Sequence, residues 1–116
     1  MHEISLVRTI FRNLEAQFAP EELARMERIQ LVIGPLANVD TVLLKNAYDA
    51  VVEQEEIRFA ATELHVREIP VLISCPVCEA TSEVFQYRFV CGNCGKPCAN
   101  VVQGNELLIE SVSLKD

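Results

Sequence analysis

Two Cys-x2-Cys pairs constrain this chain of 116 residues more than any other feature. Cys75 and Cys78 form the first pair, Cys91 and Cys94 form the second, and 12 residues lie between the pairs. A tight turn lets both thiolates of a pair converge on one ion, and two such turns complete the tetrahedron that zinc accepts. The spacing therefore predicts a four-cysteine zinc site on a hairpin, with iron as the chemical alternative.

Four thiolates would fill the coordination sphere of zinc and leave no position open for a substrate, so we expect a structural metal. The segment from Cys75 to Cys98 is rich in Cys, Gly and Pro and carries little apolar surface to bury, so it needs this cross-link. Gly92 and Gly95 are expected to give the second pair its backbone freedom. The first pair lacks a glycine after its second cysteine and has Glu79 at that position.

The fifth cysteine, Cys98, follows Cys94 at Cys-x3-Cys spacing. It is either a ligand that exchanges with another cysteine or a free thiol near the edge of the subdomain that is open to oxidation. Disulfides explain an odd, clustered set of cysteines poorly. The chain begins without the pattern of a signal peptide and has no apolar stretch of about 20 residues, so we expect a cytoplasmic protein that does not span a membrane.

Apolar residues outside the cysteine segment predict two helices and three strands. The first helix covers residues 4–18, and Leu6 and Ile10 widen its apolar stripe. The second helix covers about 40–55, with Asn38 or Asp40 as its N-terminal cap. Residues 28–34 alternate as a strand, residues 63–73 form a second strand, and LLIESVSL near the end forms a third. The phase of the second strand changes at Glu68-Ile69-Pro70, which indicates a bulge or an edge position. The apolar faces of the two helices are expected to comprise Ile4, Val7, Phe11, Leu14 and Phe18 in the first, and Leu44, Ala47, Tyr48, Val51 and Val52 in the second.

This order of elements predicts an α+β fold with two helices on a small three-stranded sheet. The cysteine segment is then an insertion before the last strand. We expect residues 1–73 together with 100–116 to form the α/β domain and residues 74–99 to form the zinc subdomain.

The first three residues, Met1, His2 and Glu3, offer a second set of metal ligands. The α-amine, the His2 amide and the imidazole can close fused chelate rings around square-planar Ni(II) or Cu(II), and Glu3 adds a carboxylate or its own amide. The simpler interpretation is that His2 is solvated and that Glu3 favours the first turn of a helix. We expect Ile4, Val7 and Phe11 to hold this helix start against the core. His65, the other histidine, is expected to be an exposed strand residue, with metal ligation as the alternative.

Charge and motifs weaken two other classes of function. The net charge of −7 disfavours a protein that neutralises phosphate backbones, and residues 75–98 carry only Arg88 and Lys96 against Glu79 and Glu83. A zinc-ribbon protein that binds nucleic acid or assists transcription is therefore the weaker alternative. No Ser/His/Asp set, His-Glu-x-x-His motif or phosphate-binding loop is present, so we do not expect an enzyme.

The segments MHEISL, RIQLVIGPLANVD, CPVC, CGNC and GNELLIESV occur here in one order. In this combination the chain resembles, over essentially its whole length, the HypA/HybF family of hydrogenase nickel-insertion accessory proteins. The resemblance implies a nickel-binding domain of two helices on a small mixed sheet, followed by an inserted zinc subdomain. It also implies nickel on Met1, His2 and Glu3 and zinc on Cys75, Cys78, Cys91 and Cys94. The pair Ala37-Asn38 differs from the pair that members of this family commonly have at the same turn. If the turn requires a residue with a positive φ, Asn38 must be that residue.

Proteins of this family deliver nickel to the large subunit precursor of [NiFe]-hydrogenase, and in some organisms toward urease, together with a HypB-type GTPase. The resemblance therefore implies a nickel metallochaperone with these partners, and we expect a monomer or weak homodimer that binds no nucleic acid and no membrane. We further expect the zinc subdomain to dock on the hydrogenase subunit through exposed residues such as Tyr87 and Phe89.

Overall fold

The computed structural model describes residues 3–116, which divide into two compact units. Within the described residues, unit 1 comprises 3–31, Val39–Arg67 and Ile109–Asp116, and unit 2 comprises Val32–Asn38 and Glu68–Leu108. The helices are α1 (Glu3–Gln17), α2 (Pro20–Ala24) and α3 (Thr41–Gln54), and the strands are β1 (Met26–Ile33), β2 (Glu63–Glu68), β3 (Val71–Ser74), β4 (Thr81–Val84), β5 (Val101–Gln103) and β6 (Leu107–Leu114). These elements confirm the predicted α+β class. The short helix α2 lies in the EELARMER segment, where the sequence allows a further helical turn after Pro20, whereas the second three-stranded sheet is not among the predicted elements.

The buried stripe of α1 differs from the predicted stripe. Ile4 was expected to anchor the start of the helix, but 44% of its surface is exposed. At 3.6 residues per turn Ile4 lies about 90° from the centre of the stripe. Leu6 and Ile10, which the pattern placed at its margin, are buried instead. The buried residues of α1 are Leu6, Val7, Ile10, Phe11 and Leu14.

The start of α3 agrees with the sequence prediction. Asp40 caps the helix because its Oδ1 accepts hydrogen bonds from the amides of Val42 and Leu43, at 2.9 and 3.1 Å. Asn38 has a φ of 57°, so it supplies the positive φ that its turn requires. The predicted apolar face of α3 is also the observed one, because Leu44, Ala47, Tyr48, Val51 and Val52 are all buried.

An aromatic cluster joins the two long helices of unit 1. The ring of Phe11 lies 5.6 Å from that of Tyr48 and 4.6 Å from that of Phe59, measured between ring centroids. The Tyr48 hydroxyl donates to the carbonyl of Thr62, whose own hydroxyl donates to the carbonyl of Met26. The buried polar atoms of this core are thus paired, and the helices are fixed to the chain segments that lead into β1 and β2.

Ion pairs explain the acidic carboxyl end of α3, where negative charge opposes the helix dipole. The Arg8 guanidinium of α1 contacts Glu55 at 2.9 Å. Arg58 contacts both Glu56, at 3.1 Å, and Glu15, at 2.6 Å. These exposed pairs offset the repulsion among the glutamates and add little further stability.

The first sheet has the strand order β2-β1-β6. Ile29, Leu31 and Ile33 of the central strand are buried, as their alternation predicts. Val32 is buried as well, although it alternates with these three residues together with Arg28 and Gln30. Both faces of β1 are therefore covered at its end, so alternation is not visible there.

Residues 63–73 were expected to form one strand, and this prediction is wrong. β2 ends at Glu68, β3 begins at Val71, and the two strands belong to different sheets. Pro70 has no N–H to donate to a ladder, so pairing stops between them. The phase change in the sequence thus marked a passage from one sheet to the next.

The second sheet has the order β4-β3-β5, with β3 antiparallel to both neighbours. Its core contains Val71, Ile73, Val84 and Cys98, with Leu36, Phe89 and Val101 packed against them. Cys98 is therefore not a thiol at the edge of a subdomain: it is buried, and its Sγ donates to the carbonyl of Ser74 at 3.2 Å. Phe89 is likewise a packing residue and not the exposed aromatic that we expected, whereas Tyr87 is exposed as predicted. Over residues 3–116 no helix has the length and apolar character needed to cross a bilayer.

Candidate metal centre

The first cysteine pair forms a turn that its own backbone closes. The amide of Glu79 donates to the carbonyl of Cys75 at 2.9 Å, and the amide of Cys75 donates to the carbonyl of Ala80, also at 2.9 Å. These two bonds link the start of the turn to its end. The turn thereby brings the side chains of Cys75 and Cys78 into the same four-cysteine group, which could hold a metal ion.

The second pair repeats this hydrogen-bond pattern. The amide of Gly95 donates to the carbonyl of Cys91 at 2.9 Å, and the amide of Cys91 donates to the carbonyl of Lys96 at 2.8 Å. Gly95 and Glu79 are equivalent positions, and both have a positive φ, 77° and 62° respectively. The two turns are thus the same structure built with different residues.

Gly92 does not have the role that the sequence analysis gave it. Its φ is not in the left-handed region. A Cβ on Gly92 would lie 3.1 Å from the Cβ of Ser82. The backbone amide of Gly92 donates to the Ser82 hydroxyl at 3.0 Å. Gly92 therefore permits close packing of the second turn on β4, and Gly95 alone supplies the unusual backbone angle of that turn.

Replacing Glu79 with glycine should stabilise the protein. In the left-handed region a residue with a Cβ destabilises the folded state by roughly 1–2 kcal/mol, and glycine removes this cost. Glycine also loses more conformational entropy on folding, which costs about 0.5–1 kcal/mol. The free energy of unfolding should therefore rise by about 0.5–1 kcal/mol. Gly95→Ala is the matched control, because nothing lies within 4 Å of the added Cβ and only the backbone penalty remains. We expect chemical denaturation of the metal-loaded protein to show opposite shifts for the two variants. Equal shifts would contradict the shared geometry.

The four sulfurs lie within 4.8 Å of one another. The Sγ atoms of Cys75 and Cys94 are 3.7 Å apart, and those of Cys78 and Cys91 are 3.5 Å apart. Four thiolates bound to zinc at about 2.3 Å in a tetrahedron would be about 3.8 Å apart. The cluster therefore fits a structural metal with tetrahedral coordination.

Backbone amides favour negative charge on two of the sulfurs. The amide of Ala80, with help from Asn93, lowers the pKa of Cys78 to about 6. The amides of Cys94 and Asn93, each 3.4 Å from the Cys91 sulfur, lower the pKa of Cys91. These donors stabilise the thiolate form that a metal dication requires.

Cys94 differs from the other ligating cysteines because it is exposed. The amide of Lys96 lowers the pKa of its thiol, but desolvation and the hydrogen bonds to the other cysteines outweigh this amide and raise the pKa to about 11. A bound metal dication would supply the positive charge that keeps Cys94 deprotonated beside its neighbours.

Of the other predicted ligands, those that the structure describes do not join the cluster. Among the described residues, the four cysteines are the one group of three or more side chains close enough to share an ion. His65 is exposed, with its Nε2 3.6 Å from Glu63, in agreement with an ordinary strand residue. Met1 and His2 lie outside the described residues, and Glu3 is a partly buried residue at the start of α1.

A family model described as hydrogenase/urease nickel incorporation, metallochaperone, hypA matches residues 1–114. The chain belongs to the HypA family. Relatives named hydrogenase maturation factor HypA agree with this assignment. The protein from Dehalococcoides mccartyi strain 195 is 30% identical over 100% of this chain and 96% of its own. The protein from Azotobacter chroococcum mcd 1 is 31% identical over 99% of this chain and 100% of its own.

Two solved structures share the fold of this HypA-family chain. The solution structure of the Ni metallochaperone HypA from Helicobacter pylori has a TM-score of 0.66 and 23% identity, and the match covers 98% of this chain and 97% of that one. A second solution structure of HypA protein has a TM-score of 0.69 and 22% identity, with 99% and 97% covered. The family assignment places this chain among nickel-incorporation factors of hydrogenase or urease maturation.

Proposed function

We propose that this HypA-family protein binds Ni(II) at its amino terminus and delivers it to the large subunit precursor of [NiFe]-hydrogenase. A HypB-type GTPase would be its partner, and urease a further destination in some organisms. The main support is the family match over residues 1–114, together with Met1, His2 and Glu3 at its start. We place this work in the cytoplasm, with the protein a monomer or weak homodimer.

The proposed nickel ligands suit a carrier. An amine, an amide and an imidazole at a chain terminus bind one ion without enclosing it, so a partner can replace them one at a time. Copper should bind such a nitrogen set more tightly than nickel, following the general order of divalent metals. Selectivity would then come from metal supply and from the protein partners.

We assign zinc to the four-cysteine cluster and a structural role to that zinc. Four thiolates close the coordination sphere, and the free energy of binding is available to fold the surrounding turns. In this proposal residues 74–99 form the zinc subdomain. Residues 1–73 with 100–116 carry the nickel and are the part that exchanges metal with partners.

Nickel affinity should fall sharply between pH 7.5 and pH 6. Only the deprotonated forms of the imidazole and the α-amine bind metal. Over this range the deprotonated fraction falls roughly fourfold for an imidazole with a pKa of about 6.5, and about twentyfold for an α-amine with a pKa of about 7.8. Competition titrations against a metal-binding dye, corrected for the pH dependence of the dye, would measure the change.

His2→Ala is the matched control for this titration. It should bind nickel more weakly and lose the imidazole's share of the pH dependence, while the amine's share stays. A wild-type affinity that is the same at both pH values would count against the proposed ligands.

A further inference from the structure

The four ligating cysteines differ in how easily a solute can reach them. Cys75 and Cys91 are buried, each with 2% of its surface exposed, and Cys78 is half-buried. Cys94 is the one exposed member of the group. The reactivity of a cysteine toward a dissolved reagent depends on its exposure as well as on its charge. A solute therefore meets Cys94 first, although all four sulfurs are needed to complete one coordination sphere.

The backbone leaves Cys94 freer than its partner in the second pair. The sulfur of Cys91 accepts two backbone amides, those of Asn93 and Cys94, whereas the sulfur of Cys94 accepts the amide of Lys96. Gly95 follows Cys94 with a positive φ, and nothing lies within 4 Å of the position that a Cβ on Gly95 would occupy. The exposed sulfur thus has open space next to it in which to move.

A buried sulfur of the first pair lies beside Cys94. The Sγ atoms of Cys94 and Cys75 are 3.7 Å apart. A disulfide would bring them to about 2.05 Å, a short movement for an exposed side chain. Because Cys75 is buried, it is placed to attack an oxidised Cys94 and shielded from being oxidised first.

We propose that Cys94 is an oxidation site for hydroperoxides and that Cys75 is its resolving cysteine. With hydrogen peroxide, the Cys94 thiolate attacks one oxygen, the O–O bond breaks and hydroxide leaves, which makes Cys94 a sulfenic acid. The Cys75 thiolate then attacks the sulfur of Cys94, and a second hydroxide leaves as the disulfide forms. The two sulfurs have together lost two electrons, and the peroxide has gained them.

This oxidation exchanges one cross-link of unit 2 for another. Cys78 and Cys91 remain as thiolates, and two thiolates hold a metal dication less tightly than four, so oxidation should release the metal. The disulfide still joins the first turn to the second. A thiol reductant would restore both ligands by thiol–disulfide exchange. The inference rests on the proposed structural metal and is independent of nickel delivery.

Cys98 does not compete for this role. Its position after the second pair suggested a thiol open to oxidation, but it is buried and its Sγ donates to the carbonyl of Ser74. It also lies outside the four-cysteine group. Cys98→Ser is therefore the control variant for a cysteine that should take no part.

Treatment of the metal-loaded protein with one equivalent of hydrogen peroxide tests the proposal. A chromogenic chelator would follow metal release, and samples alkylated at intervals would be mapped for disulfides by peptide mass spectrometry. We expect the Cys75–Cys94 disulfide to form first and at the rate of metal release. Excess dithiothreitol with added zinc should then restore the metal content. Cys98→Ser should give the same rate and the same disulfide.

Cys94→His removes the exposed sulfur but keeps a ligand, because three cysteines and a histidine are a common structural zinc set. The loaded variant should release its metal about tenfold more slowly than the wild type at equal peroxide concentration. If Cys94→His holds no metal, the disulfide map of the wild type decides alone.

Three results would overturn the proposal. They are a first disulfide between Cys78 and Cys91, oxidation of Cys94 that never yields a disulfide, and a wild-type protein that keeps its metal in peroxide. Equal release rates from the wild type and loaded Cys94→His would also contradict it. A wild-type protein without metal at the four cysteines would overturn the zinc assignment together with this inference, and would leave the nickel proposal standing.

Discussion

Replacing Cys91 with serine should release the structural metal and unfold the turns of unit 2. Cys91 is buried, and its sulfur accepts two backbone amides, so a serine hydroxyl would leave both a missing ligand and poorly satisfied donors. Structural zinc sites contribute about 10–16 kcal/mol of binding free energy, much of which is folding free energy. Elemental analysis after dialysis should therefore find about one metal per chain in the wild type and almost none in Cys91→Ser.

Cys98→Ser provides the matched control, because it is the same chemical change at a buried cysteine outside the cluster. Serine can still donate to the carbonyl of Ser74, so we expect a small loss of stability, about 1 kcal/mol, and normal metal content. Loss of metal from Cys98→Ser, or its retention in Cys91→Ser, would contradict the assigned ligands. The same elemental analysis distinguishes zinc from iron, the chemical alternative.

Local patterns in the sequence predicted α3 and its surroundings well. The cap at Asp40, the left-handed Asn38 and the five buried residues of α3 all follow from rules that act within one turn of helix. The meeting of the two sulfurs within each pair also follows from spacing, because each pair forms its own turn. Such features need no knowledge of what packs against them.

The predictions are wrong where contacts with distant parts of the chain determine the structure. The stripe of α1 is rotated away from Ile4 because helix pattern fixes only the period, and the packing partners select the face that is buried. The passage from β2 to β3 looked like a bulge because the sequence does not show which sheet a strand joins. The spacing of Cys98 suggested a free thiol at the edge of the subdomain or an exchanging ligand, but its burial in a core cluster depends on Val71, Ile73 and Val84.

The strained residues were missed for a different reason. Nothing in the local sequence at Glu79 or Tyr87 indicates a positive φ, because the common signal is a glycine or asparagine. At Glu79 the comparison with Gly95 in the second pair was the available signal. At Tyr87 there was none, since the turn is imposed by the strands and bridges on either side of it.

The proposed nickel site requires a free amine on Met1 next to His2, and this requirement gives the second large effect. Three residues added before Met1 would move the amine out of chelating distance of the imidazole, and His2→Ala would remove the imidazole itself. A single added residue is not a useful test, because an amine two residues before a histidine still chelates. Both changes should weaken nickel binding about a hundredfold, or about 2.7 kcal/mol.

The most direct measurement is a nickel titration of four untagged proteins with their structural metal in place: the wild type, His2→Ala, the three-residue extension and His65→Ala. His65 is exposed and outside any described ligand group, so this last variant controls for the loss of a histidine. We predict one tight site in the wild type and in His65→Ala, and its loss in the other two. Equal nickel binding by all four proteins would contradict a nickel site at the amino terminus.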